Sequence, residues 1–209
     1  MRQNTGNCGG RLVLTFDDGP DRRYTGTLLD LLKEEQIPAA FFVVGNHAEK
    51  EPELVQRMEA EGHIVGSHSI EHRNALLSTY SYMKRDFEAC RKIHMELLGR
   101  PPRYFRPPWG IRNLFTRKFV KEQGMRMVLW DVMAQDWRAD ASTVGIAKKL
   151  RDRVSDGDII CLHDAGEDTG GAAGAPLKTI KALELAIPDL KASGYHFISL
   201  DEYFAGAAL

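Results

Sequence analysis

An α/β fold with a parallel sheet, closed or nearly closed into a barrel, is the architecture this sequence predicts. Three observations carry it. Short apolar runs of β type alternate with longer helical patterns along the whole chain. There are about seven such runs, so helices must carry the chain back between parallel strands and cover the outside of the sheet. Finally, the clusters of reactive side chains each follow the C-terminal end of a run. Asp17 and Asp18 follow the first, His68 and His72 the third, Arg106 the fourth, Asp136 the fifth, and His163 with Asp164 the sixth. A barrel gathers its site on the C-terminal rim. An open doubly wound sheet gathers ligands at one switch point. Five clusters on one rim favour the barrel.

Residues 12–16 read as the first strand. Residues 25–36 read as a helix whose buried side carries Leu28, Leu29, Leu31 and Leu32. A second strand over 40–44 precedes a helix over 51–61 and a short strand over 63–66. The longest helix spans 80–98. A brief strand over 103–105 runs into a proline pair, and a helix over 115–123 leads to a strand over 127–130. A helix over 143–154, a strand over 158–162, a helix over 177–192 and a strand over 196–199 complete the series.

With 209 residues, one domain with a substantial core is the simplest organisation. The formal net charge of −1 gives no reason to expect nucleic acid or an anionic membrane as partner. No apolar run approaches the ~20 residues of a spanning helix. The first ten residues hold no apolar signal region, which reads as a cytoplasmic protein or one whose export segment has been removed. Three cysteines, Cys8, Cys90 and Cys161, lack paired spacing, so neither a disulfide framework nor a zinc site built on them is expected.

The chemistry concentrates in five places. In Thr15-Phe16-Asp17-Asp18-Gly19-Pro20 two acids stand where a strand ends, and an extended chain turns them to opposite sides. One acid can bind a cation while the other handles a proton. Asp-Asp-Gly-Pro is also a good turn for backbone reasons alone. His68 and His72 are spaced i, i+4, with Gly66, Ser67 and Ser69 suited to a tight turn that opens a helix capped by Ser67. One Asp and two His make a three-ligand site with positions left open, as a hydrolytic metal centre needs. In Arg106-Pro107-Pro108-Trp109-Gly110 the guanidinium is suited to hold Asp17 in orientation. The Trp109 N–H, unlike its proline neighbours, can donate to an oxyanion. Trp130 and Trp137 flank acids and could line a sugar subsite. Asp136 is a plausible partner for a distant histidine, with Asp131 as its rival. His163, beside Asp164, has the makings of a general acid near neutral pH, and Cys161 reads as a small apolar wall residue. His47, His63, His94 and His196 read as structural or solvated. The glycine-rich stretch 166–174 lacks the Lys-Ser/Thr ending of a phosphate loop and reads as a mobile loop beside the site.

Taken together, these motifs resemble those of the polysaccharide deacetylases, the NodB-homology domain of carbohydrate esterase family 4. The resemblance runs from about Arg11 to Phe204. Thr15 to Pro20 is similar to the family's first motif, and His68 to His72 to its His-Ser/Thr-x-x-His motif. Arg106 to Gly110 is similar to its Arg-x-Pro-aromatic motif. Asp136-Trp137 looks like the fourth motif and Cys161 to His163 like the fifth. The resemblance implies a distorted (β/α)7 TIM-like barrel, with an N-terminal extension over 1–10, a catalytic domain over 11–205 and a tail over 206–209. It implies a divalent metal, usually Zn2+ with Co2+ or another ion as alternatives, held by Asp18, His68 and His72. It makes Asp17 the general base, Arg106 its tether, and His163 the general acid tuned by Asp136. It makes the Trp109 amide an oxyanion donor, with Trp137 and Leu162 also at the substrate.

The implied substrates are N-acetylglucosamine polymers such as peptidoglycan and chitin, and the implied reaction is metal-dependent removal of N-acetyl groups with release of acetate. Alternatives are an O-acetyl esterase on xylan, a deacylase of a small or lipid-linked amino sugar, and a non-catalytic glycan-binding homologue. Members of the family often work outside the cytoplasm or at the cell wall. Three positions depart from the pattern: Trp109 where tyrosine is common, Cys161 where an aliphatic residue usually lines the acetyl pocket, and Met133 where many members carry a further acid. They bear on substrate choice more than on activity.

Overall fold

The computed structural model describes residues 10–206. The extension read over 1–10 and the tail over 206–209 lie outside these residues, apart from Gly10 and Gly206 at their inner ends, and so does Cys8. Among the described residues, eight strands and eight α-helices are laid down in the order β1 (Gly10–Asp17), α1 (Thr25–Glu34), β2 (Ala39–Val43), α2 (Gly45–Lys50), α3 (Pro52–Ala60), β3 (Ile64–Ser67), α4 (Tyr80–Leu98), β4 (Tyr104–Phe105), α5 (Leu114–Glu122), β5 (Arg126–Met127), β6 (Val132–Met133), α6 (Thr143–Arg153), β7 (Asp158–His163), α7 (Ala175–Ala192), β8 (Tyr195–Phe197) and α8 (Leu200–Gly206). Every strand pairing is parallel. The sheet runs β5-β4-β3-β2-β1-β7-β6, with β8 added against the start of β1. Its two end strands, β5 and β6, are joined by residues 128–131 and share no ladder. The barrel is therefore curled but left open along one seam.

The two-residue side-chain period of β1 explains what lies on each face. Leu12, Leu14 and Phe16 pack with Phe41, Val43, Ile160, Leu162 and the apolar sides of α1, α6 and α7 in the outer core. Val13 faces the interior with Ala40, Phe42, Ile64, Tyr104, Val128 and Ile159. The interior column of β1 thus runs Val13, Thr15, Asp17, from apolar floor to acidic rim. Register continues this across the sheet, with Thr15 opposite Cys161 and Asp17 opposite His163. On β3, Gly66 leaves room for the Phe42 ring, because a Cβ there would lie 2.8 Å from it.

The helices end and begin where local chemistry allows. Thr79 caps α4, and Gly99 stops it in the left-handed region at φ 67°. Asn113 and Thr116 form a reciprocal capping box on α5. Two expectations change. The strand read over 127–130 is only the two-residue β5, and a second two-residue strand, β6, follows that the sequence reading lacked; Arg106 engages the carbonyls of Val128 and Leu129 between them. Helices α2 and α8, six and seven residues long, were too short for a periodic signal to show.

Phe41 is 1 % exposed and stacks on Phe16 at 5.2 Å. Phe41→Ala is expected to lower unfolding stability by about 3–5 kcal/mol in a urea titration. Leu114→Ala, at a side chain 81 % exposed, should change it by less than about 0.5 kcal/mol.

Candidate active site

At the rim, the carboxylate of Asp17 meets a guanidinium with no exposed surface. Arg106 Nη1 donates to Asp17 Oδ1 and to Thr15 Oγ1, both at 2.7 Å. Its Nη2 donates to Leu129 O at 3.0 Å and its Nε to Val128 O at 3.3 Å. The plane lies over the Phe42 ring, 4.2 Å from its centroid. Arg106 is thus fixed on all sides and fixes Asp17 in turn. Asp17 Oδ2 takes the weak Cys161 thiol donor at 3.4 Å. Cys161 is wholly buried beneath Asp17 instead of lining the cleft, and burial pushes its thiol pKa well up.

Asp18 points the other way from the end of β1, with φ 77°. Its Oδ1 lies 3.2 Å from His72 Nε2 and 3.5 Å from His68 Nε2, and has no hydrogen-bond partner despite being buried. Ligand atoms of the three residues all lie within 4.8 Å of one another. His68 Nδ1 donates to Arg106 O at 2.7 Å, which leaves Nε2 with its lone pair toward Asp18. Two imidazoles and a carboxylate, converging and with the carboxylate oxygen unpartnered, fit a divalent cation.

Without a cation, the charges here are in tension. Burial opposes ionisation of Asp18, but the neighbouring imidazoles of His68, His163 and His72 hold its pKa well below the usual carboxylate range. Burial takes His72 down to about 4, against the pull of Asp18. His68 is raised, because Asp17 and Asp18 outweigh its burial.

The helix expected to carry this histidine pair is absent. Residues 68–74 form a loop, with Ser69 at φ 69° and His72 at φ 52°. Its backbone finds partners elsewhere: Ser69 O and Ile70 O accept from Gly45 and Asn46, and Ile70 N donates to Asp86. Ser69 Oγ, and not Ser67, accepts from His72 N.

Across the cleft, Asp136 holds His163. Its Oδ1 lies 3.0 Å from His163 Nδ1, while Oδ2 accepts from His163 N at 2.9 Å and Thr179 Oγ1 at 2.8 Å. Burial works against the imidazolium, yet the Asp136 charge and hydrogen bond raise His163 to about 9. Asp131, the rival partner, instead accepts from Ile159 N. Asp164 accepts from Thr25 Oγ1 and Gly19 N, and burial lifts its pKa to about 7.

A cleft of about 280 Å3 joins these groups, walled by Trp109, Trp130, Met133 and Trp137 on one side and Thr169, Gly170 and Gly171 on another. Trp109 sits at φ 53°, its ring 4.2 Å from that of His72, and no acceptor for its N–H occurs among the described residues. Leu162 does not reach the cleft. It alternates with Cys161 and His163 on β7 and therefore faces the helices, fully buried.

Two sequence readings near the cleft are sharpened by the structure. The glycine-rich segment is tied down: Thr169 Oγ1 donates to Asp18 Oδ2 at 2.9 Å, and Glu167 accepts from Tyr24, Arg23 and Gly174 N. Of the two readings of His47, structural or solvated, the contacts favour the structural one and place it beside the site, since its Nδ1 lies 2.6 Å from Asp18 O and its Nε2 2.8 Å from Asp168. These contacts join residues up to 151 positions apart, and no local pattern could have signalled them. A neighbouring depression of about 430 Å3 is lined by charges that already pair, such as Arg22 with Glu51 and Arg23 with Asp21 and Glu167.

Residues 5–128 match the sequence model of a family described as polysaccharide deacetylase. A peptidoglycan-N-acetylglucosamine deacetylase of Bacillus cereus is 35% identical over 193 residues, covering 91% of this chain and 86% of that one. A crystal structure of a peptidoglycan N-acetylglucosamine deacetylase superposes with a TM-score of 0.85 at 31% identity, over 93% of this chain and 88% of the other. A family 4 acetyl xylan esterase from Clostridium thermocellum, solved with a cobalt ion, gives 0.84 at 30% identity, over 95% and 92%.

The Asp136–His163 pair makes a direct prediction for metal-free protein. The His163 ring should titrate near 9 by NMR. Asp136→Asn removes the largest raising influence and leaves burial opposed only by the charges of Asp18 and Asp17, so the midpoint should fall well below that of wild type. A folded-state pKa above the unfolded one stabilises fully below about 6.5 and fades as pH rises through about 9. The stability lost in Asp136→Asn should therefore be larger at pH 6 than at pH 10.

Proposed function

The chain belongs to the polysaccharide deacetylase family, and from that premise we propose that it hydrolyses N-acetyl groups on N-acetylglucosamine-containing glycans of peptidoglycan or chitin type, releasing acetate. The observation that supports this most is the juxtaposition, on the neighbouring strands β1 and β7 at one cleft, of a carboxylate anchored by a cation and an imidazole anchored by an anion. Asp17 is held by Arg106, and His163 by Asp136. Acetamide hydrolysis needs one group to take a proton from water and another to give one to the leaving amine.

Asp18, His68 and His72 would hold a divalent cation, with Zn2+ the first choice. When bound there, such an ion supplies Lewis acidity toward the acyl carbonyl and lowers the pKa of water. The remaining chemistry belongs to the chain's own groups. Asp17 presents Oδ2 to the attacking water, because Oδ1 is committed to Arg106. The Trp109 N–H donates to the oxyanion as the carbonyl carbon becomes tetrahedral. His163 Nδ1 is committed to Asp136, so Nε2 is the atom that protonates the leaving nitrogen. Its pKa of about 9 keeps that proton available at neutral pH. The three tryptophans bring broad apolar faces to the sugar and narrow the access of bulk water.

The esterase among the structural neighbours makes ester hydrolysis the second reading. An acid as fully supported as His163 is more use to a poor amine leaving group than to an activated ester, which favours the amide.

Stripped protein supplied with N-acetylglucosamine oligomers should release acetate only when Zn2+ or Co2+ is added. Asp17→Asn should lower kcat by about 10²–10⁴-fold with metal still bound. Near wild-type turnover in that variant would remove Asp17 as the base. His163→Ala should cost far more on the amide than on an activated ester, and equal losses would count against its role as acid.

A further inference from the structure

The two carboxylate oxygens of Asp18 have unlike surroundings. Oδ1 faces both imidazoles and is unpartnered. Oδ2 accepts from Thr169 Oγ1 at 2.9 Å. Thr169 belongs to the strap 166–171 between β7 and α7, and the chemistry above makes no use of it.

The strap is shaped for this contact. Gly166 adopts φ 117° and passes so close that a Cβ would lie 2.7 Å from Asp18 Oδ2. Gly171 N closes the turn on Gly166 O at 2.6 Å. Next to Thr169, Asp168 meets His47 Nε2, and His47 Nδ1 reaches the Asp18 carbonyl. The strap thus grips Asp18 twice, directly at its side chain and through His47 at its backbone.

We propose that Thr169 is a positioning residue that fixes Asp18 as a one-oxygen ligand, engaging Oδ2 and leaving Oδ1 to the cation. The inference rests on the cation site of the proposed function. A terminal carboxylate torsion is soft, so an untethered Asp18 can turn either oxygen, or both, toward His68 and His72. A hydroxyl held by the strap removes that freedom. Thr169 has one proton and two acceptors in reach, Asp18 Oδ2 at 2.9 Å and Gly166 O at 3.1 Å. The charged acceptor forms the stronger bond. Partners of this kind behind a metal ligand typically contribute 10–100-fold in metal affinity. The coupling is reciprocal. Because Thr169, Gly170 and Gly171 also wall the cleft, a cation on Asp18 should in turn steady that wall.

The test titrates Zn2+ into stripped full-length protein by calorimetry, with a competing chelator. Thr169→Val keeps the shape and removes the donor, Thr169→Ser keeps the donor, and Thr169→Ala replaces Val should the larger side chain disturb the strap. Loss of the donor should weaken Zn2+ binding about 10- to 100-fold, with Ser within about threefold of wild type. Amide exchange across 166–171 should slow on adding Zn2+ to wild type, and slow less without the donor. Binding within twofold of wild type in both Val and Ala variants would overturn the inference and leave the cation site standing. So would a loss in Ser equal to that in Val, since packing and not the hydroxyl would then be responsible. Failure of wild type itself to bind Zn2+ would overturn the cation site and the inference together.

Discussion

A buried guanidinium organises this protein. Arg106 has no exposed surface, and a charge in that position is tolerable only if each of its nitrogens is engaged. Asp17, Thr15 and the carbonyls of Val128 and Leu129 supply that engagement. The last two matter for the fold. They lie in the link between β5 and β6, the seam where the sheet has no ladder. A side chain there substitutes for missing strand-to-strand hydrogen bonds, and the same side chain aims Asp17. Removing one partner of a buried ion pair typically costs about 3–5 kcal/mol, so the orientation of Asp17 and the integrity of the seam cannot be separated. The small residue at Gly66 belongs to this arrangement too, because it admits the Phe42 ring on which the guanidinium rests.

The rim carries strain that the barrel wall does not. Asp18, His72 and Trp109 all have positive φ, a conformation that costs non-glycine residues on the order of 1–3 kcal/mol each. Two of them belong to the candidate cation site and the third offers its N–H to the cleft. Such conformations persist only when the surroundings over-determine them. For Asp18 the surroundings are His47 and the strap; for His72 they are Ser69 Oγ behind its backbone and the Trp109 ring against its imidazole. The interior of β1 could not have placed these groups alone. A strand fixes only the choice of face, and Asp17 follows from it directly. Every group beyond the strand's end needed a loop with its own contacts.

That distinction accounts for what could be read in the sequence and what could not. The outer core follows the period-two pattern of Leu12, Leu14 and Phe16, and helix α4 was legible to the residue because a threonine cap and a glycine stop bracket it. The clustering of Asp17, His68, Arg106 and His163 on one rim was legible because each stands just past an apolar run. The contour of residues 68–74 was not, since i, i+4 spacing fits a helix equally well and only the backbone partners on α2 and Asp86 decide the matter. Leu162 was misplaced for the opposite reason: it sits inside a motif, but alternation on β7 sends it to the helices. Asp136 and Asp131 are both acids near the same strand end, and only the three-dimensional path shows which one reaches His163. His47 and Thr169 gave no signal at all, because their meaning lies in one shared neighbour, Asp18.

The site also has a logic of unequal environments. Two acids adjacent in sequence end in different company, Asp17 beside a fixed cation and Asp18 among imidazoles. Two histidines on the cleft likewise diverge, with His163 raised to about 9 by Asp136 and His72 lowered to about 4 by burial. Groups of one type driven apart by their surroundings mark acid–base assignments in a protein interior. Here the divergence has a clear direction. In the proposed reaction the low pKa of His72 would keep its nitrogen lone pair free for a cation, and the high pKa of His163 would keep its proton available for transfer. A cleft that only bound a neutral sugar would need neither. Fully burying Asp136 beside one imidazolium, with Thr179 and a backbone N–H spent on the same carboxylate, fixes the ring in the orientation that the proposed proton delivery requires.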